Sequence, residues 1–173
     1  MGAAWMSNDQ ICLEVRHLLN SACIELFAGY NVAVRQSTDP WPESDSPLLS
    51  GAIGFIWNKL HGTCLLAADE KLVHGSSPLE GRARDWIGEL SNQLLGRLKS
   101  KLLARDIAVS VSTPVMLSGI HITPLPKGTL RPSLFSSPLG NALVWLELET
   151  VEGFMLPQGA PDAIGPEGEL LLF

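Results

Sequence analysis

Apolar residues recur at helical spacing from residue 8 to residue 28: Ile11, Leu13, Val15, Leu18, Leu19, Ala22, Cys23, Leu26 and Phe27. Ser7 or Asn8 stands where an N-cap is expected, and Gly29 where a C-terminal glycine is expected. A short strand over Asn31 to Gln36 follows, with Val32 and Val34 on one face, and then a proline- and serine-rich loop over 37 to 49. Ser50 to Trp57 and Leu60 to Ala67 read as two strands joined by a tight turn at Asn58-Lys59. Gly54 and Gly62 within them signal bulges or close backbone approach. Asp69 to Val73 reads as one short helical turn.

A second long helix is predicted from about 78 to 103, with Ser77 as cap, Pro78 at its first position and Glu80 completing a capping box. Residues 106 to 116 alternate as a strand up to Pro114, and 119 to 123 extend it or form another. A proline-rich stretch over 124 to 140 holds one strand near Leu134-Phe135. Ala142 to Val151 alternates strongly through Leu143, Trp145, Leu146 and Leu148. Residues 153 to 168 are rich in glycine and proline, and Leu170 to Phe173 form an apolar end. The order of elements predicts an α+β fold: an antiparallel β-sheet packed by two long helices, in one domain with a core over about 8 to 151.

The second helix carries the candidate chemistry. At about 100° per residue, Asp85, Glu89, Asn92 and Gly96 fall in a stripe roughly 60° wide. Trp86, Ile87, Leu90, Leu94, Leu98 and Leu102 fall on the opposite, buried side. Trp86 and Trp145 are expected in the core. An acid and an amide three residues apart can address one reactive centre. Gly96, one turn on, either admits an approaching partner or serves helix packing. Lys99 lies on the same side, as a partner contact or a solubilising charge.

Composition narrows the alternatives. The chain has 173 residues, 46% of them hydrophobic, which excludes disorder. The net charge of −6 and the lack of a basic patch argue against nucleic acid. No apolar run approaches the roughly 18 residues of a membrane span, and no signal-peptide start is present. Cys12, Cys23 and Cys64 show no paired spacing, so a reducing, cytoplasmic setting is expected. His17, His61, His74 and His121 are scattered, which argues against a zinc site.

Taken together, Asp85-x-x-x-Glu89-x-x-Asn92 and the later Pro114 resemble the motif of the CheC, CheX and FliY chemotaxis phosphatases. Pro114 falls one residue short of the family's spacing. The run Glu89 to Leu102 looks like the CheX form, Ser110 to Pro114 like its following strand, and Ser50 to Gly54 with Gly62 to Leu66 like its preceding hairpin. The resemblance implies hydrolysis of an aspartyl phosphate on a CheY-like response regulator. It implies that Asn92 positions water and that Glu89 pairs with a lysine of the receiver. No cofactor is expected on this chain, and Mg2+ is expected on the partner. Only one such motif is present, since Glu14 is followed by His17 where asparagine would be needed, so the single-site CheX type and its homodimer are implied. Two other readings stand beside it: a non-catalytic module of the same fold that binds a response regulator or signalling partner, and an unrelated α+β protein with a coincidental motif.

Overall fold

The computed structural model describes residues 8–40, 47–78, 82–120 and 131–157. They form helices α1 (Asn8–Ala28), α2 (Glu70–Ser76) and α3 (Ala83–Leu103). They also form strands β1 (Arg35–Ser37), β2 (Leu48–Trp57), β3 (Leu60–Asp69), β4 (Ser110–Val111), β5 (Val115–Gly119), β6 (Ser133–Ser137) and β7 (Gly140–Thr150). The fold is α+β. One antiparallel sheet runs β1-β6-β7-β3-β2, and β4 and β5 share the far edge of β2.

Both long helices lie on one face of the sheet, α3 over β2 and α1 over β7, and they pack against each other. Leu19, Leu26 and Phe27 of α1 meet Ile53 and Leu66 of the sheet and Leu90, Leu94 and Leu98 of α3 in one core. Side chains alternate across a strand, so the other face of the sheet needs its own cover. There Ala67, Leu134 and Leu143 form a second small cluster with Leu65 and Trp145. Trp145 therefore belongs to the outer layer, while Leu146 and Leu148 point to the helices.

The two helices end alike. Asn31 and Asp106 each adopt φ of 60°. Beyond each, an amide reaches back five residues: Val32 N donates to Phe27 O and Ile107 N to Leu102 O, both at 3.0 Å. This is the Schellman arrangement, with the side chain after the left-handed residue buried. Asn31, rather than Gly29, thus takes the left-handed position at the end of α1, because asparagine tolerates it. Val32 and Val34 are buried with Ala33 exposed between them, but they pair with no strand, so β1 begins only at Arg35 and not at Asn31.

The helix expected from residue 78 starts at Ala83. Ser77 closes α2 instead, its amide donating to His74 O at 3.1 Å, and Pro78 lies between the helices. The expected capping partner Glu80 lies outside the described residues, as do Ser7, the apolar end Leu170 to Phe173 and most of 119 to 123. The strand expected over 106 to 116 is broken. Three residues, Ser112 to Pro114, separate β4 from β5 opposite only two on β2, Ile53 and Gly54. A proline cannot donate to the ladder, so an extra residue at an edge absorbs it. The β2–β3 pairing has no bulge at all: Leu48 to Trp57 match Asp69 to Leu60 one for one. Gly62 is there for closeness, since a Cβ on it would collide with Glu147 O and Phe55 Cζ.

Candidate functional site

The placement of α3 follows from small residues under it. Ser91 is buried, its hydroxyl donating to Ile87 O at 2.7 Å and lying 3.5 Å from Gly51 O. Any Cβ on Gly51 would collide with Ser91 Oγ, so the glycine lets the helix settle onto β2. One turn earlier, Gly88 is covered by Met116 of β5, whose Sδ would sit 3.1 Å from a Cβ. Ile87, Leu90, Leu94, Leu98 and Leu102 are fully buried, and Trp86 is half-buried. The opposite stripe therefore faces outward, and Asp85, Glu89, Asn92, Gly96 and Lys99 are all exposed.

The stripe is not uniform. Asp85 and Asn92 make no hydrogen bond or ion pair among the described residues. Glu89 is held. Gln93 Nε2 donates to Glu89 Oε1 at 2.8 Å, and Tyr30 Oη donates to Gln93 Oε1 at 2.7 Å. A carboxylate only accepts, so the amide must turn its NH2 to Glu89 and its oxygen to the phenol. Tyr30 comes from the turn after α1, and its ring stands edge-on to Trp86, with centroids 5.0 Å apart at 85°. Trp86 Nε1 donates in turn to Ser76 Oγ of α2 at 3.2 Å.

Gly96 has nothing within 4 Å of where a Cβ would stand. It does not serve packing; it leaves an open notch one turn beyond Asn92. Leu103, 56% exposed, lies at about 20° from Asn92 on the helical wheel and extends the stripe with an apolar end. The sequence reading missed Leu103, Gln93 and Tyr30. Gln93 was visible as an i,i+4 neighbour of Glu89, whereas no local signal ties Tyr30 to a helix 63 residues away.

Other chemistry is poorly served. Burial pushes the Cys64 thiol up to about 12 and raises Cys23 further. Burial, and then the charge of Asp9, raises Cys12 as well. None supplies a thiolate near neutral pH. Among the described residues no group of three or more His, Cys, Asp or Glu is placed to hold a metal. Nor is any described helix long and apolar enough to cross a membrane. A depression of about 630 Å³ opens on the outer face of the sheet around Ile56, His61, Thr63, Glu147 and Glu149. The α3 stripe takes no part in it. An exposed stripe of this kind fits a macromolecular surface better than a small molecule, which needs enclosure.

This arrangement of helices and strands has known counterparts. It superposes on the chemotaxis protein CheX of Vibrio vulnificus with a TM-score of 0.67 at 22% identity, covering 79% of this chain and 97% of that one. The chain has the fold of the CheX and CheC-like chemotaxis proteins. A CheC-like superfamily protein from Shewanella sp. PV-4 gives a TM-score of 0.64 at 20% identity, covering 83% and 99%. A chain of the CheX–CheY–BeF3–Mg2+ complex from Borrelia burgdorferi gives 0.54 at 13%, covering 79% and 97%. No protein-family model and no curated protein matches the sequence. The CheX-like fold places α3, with its polar stripe, on the outside of the helical layer.

Proposed function

We propose that this chain is a CheX-type phosphatase that hydrolyses the aspartyl phosphate of a CheY-like response regulator. One observation carries the reading above the others. Glu89 and Asn92 stand exposed and adjacent on α3, in a fold shared with a CheX that has been crystallised with CheY. Neighbours at i and i+3 lie about 5–6 Å apart, close enough to address one group on a docked partner.

The chemistry needs only these residues on this side. Transfer of a phosphoryl group to water depends on in-line positioning and charge stabilisation rather than on covalent help. In this reading the Asn92 carboxamide accepts a hydrogen bond from the attacking water and donates one to a phosphoryl oxygen. Glu89 pairs with a lysine of the receiver and so fixes the angle of docking. Asp85 and Lys99 contact the partner at either end, and the notch at Gly96 admits its backbone. The Mg2+ of the reaction belongs to the receiver, where it supplies charge neutralisation. A cytoplasmic homodimer belongs to the same reading; sedimentation reports the dimer directly.

The test is the dephosphorylation rate of purified phosphorylated receivers from the same organism, with wild-type protein and with Asn92→Ala. The expected result is acceleration by wild type that the variant loses while still binding. A receiver that binds without acceleration makes the chain a docking module of the same fold, and no binding to any receiver sinks the proposal.

A further inference from the structure

We propose that Gln93 and Tyr30 are positioning residues that set the orientation of the Glu89 carboxylate for its partner. The inference rests on the phosphatase reading and adds to it two residues outside the Asp-Glu-Asn stripe. An exposed glutamate on a helix ordinarily samples several rotamers, so an ion pair across a docking surface must order it. Here the ordering is built in. Gln93 Nε2 occupies Glu89 Oε1 at 2.8 Å, and Tyr30 Oη fixes the Gln93 amide at 2.7 Å. Tyr30 is itself wedged edge-on against Trp86, which is tethered to Ser76.

The relay thus runs from α2 through the turn after α1 to the exposed carboxylate, and three elements determine one side chain. It leaves Oε2 of Glu89 without a partner among the described residues and turned to accept an incoming lysine. The bond is charge-assisted at its outer end, which strengthens it relative to the same bond between two neutral groups. Asn92, by contrast, has no such anchor and is free to follow the water it holds.

The test compares receiver dephosphorylation by wild type, Tyr30→Phe, Gln93→Met and Glu89→Ala, and by each of the first two variants combined with Glu89→Ala. Tyr30→Phe keeps the ring against Trp86 and removes only the hydroxyl; Gln93→Met keeps length and removes both polar atoms. The expected loss in kcat/KM is about 3-fold for Tyr30→Phe and about 10-fold for Gln93→Met, as befits single hydrogen bonds. Neither should lower the rate further once Glu89 is alanine. The Gln93 side-chain amide protons should also shift in NMR spectra on Glu89→Ala and on Tyr30→Phe, an effect independent of any receiver. Losses that persist undiminished in the Glu89→Ala background overturn the inference and leave the phosphatase reading intact, as does an effect of Glu89→Ala with none from Tyr30 or Gln93. If Glu89→Ala itself changes nothing, the role given to Glu89 falls and this relay falls with it.

Discussion

Helices α1 and α3 have the same length, 21 residues, the same kind of C-terminal turn and the same kind of buried face, yet only α3 carries the acid–amide stripe. The difference lies in what happens to their outward polar groups. On α1, Glu25 takes a hydrogen bond from its own neighbour Ser21 at 2.9 Å and an ion pair from Lys101 at 2.7 Å. Glu14 faces Arg105 at 3.9 Å. Glu25 fastens α1 to α3, and Glu14 fastens it to the turn after α3. On α3, Asp85 and Asn92 remain without partners among the described residues, and Glu89 is held without being neutralised by a cation. Amphipathic spacing puts both helices on the sheet. Glu25 and Glu14 of α1 are taken up within the fold, whereas Asp85 and Asn92 of α3 are left exposed.

The sharpest break in that comparison is Asn92→Ala. It should cut receiver dephosphorylation by about 10²–10³-fold, the loss expected when one aligned donor at a developing charge is removed. Thermal unfolding should move by no more than about 0.5 kcal/mol, because the side chain is exposed. The corresponding change on α1, Glu14→Ala, should leave the rate unchanged; an equal loss there would erase the distinction between the helices.

Gly51→Val tests whether α3 is placed by contact rather than by its own propensity. The new side chain would strike Ser91, and urea unfolding should show about 1–3 kcal/mol of lost stability. Gly96→Ala sharpens the contrast from the other direction. With open space around it, alanine should stabilise the helix by about 0.5–1 kcal/mol while slowing the receiver reaction, because the notch is filled. A variant gaining both stability and rate would show that Gly96 has no role at the docking surface.

The smallest effect belongs to the seam between the helices. Partial burial raises the Glu25 carboxyl, but hydrogen bonds from Lys101 and Ser21 and the charges of Lys101 and Arg97 outweigh it and bring it below its ordinary value of 4.5. A depressed carboxyl binds fewer protons folded than unfolded. Its contribution is therefore present above about pH 4.5 and is lost as the pH falls through the lowered folded value. Glu25→Gln should flatten the acid limb of the stability curve slightly, and Lys101→Met should weaken stability by about 0.2–1 kcal/mol at neutral pH.

How far the chain can be read from its residues depends on the range of the forces involved. The α1 helix, the β2–β3 hairpin and β7 were legible because periodicity is a local property. Both faces of α3 were legible for the same reason, down to Glu89 and Asn92 side by side. The start of α3 was misplaced because Ser77 and Pro78 make a plausible helix start, and only the fold shows Ser77 closing α2 instead. The interruption of the edge strand at Pro114 was legible, but the start of β4 only at Ser110 and the resumption of β5 at Val115 were not, because both depend on pairing with β2.

The sequence by itself determined the periodic elements, the class of fold and the acid–amide pair on one helix face, since each follows from side chains a few residues apart. Tertiary structure alone decided the strand order, the seating of Ser91 on Gly51, and the reach of Tyr30 to Gln93 behind Glu89. The last two depend on contacts between residues 40 and 63 positions apart, and the first on strand pairings such as Arg35 with Ser136, whose closeness only the packed core creates.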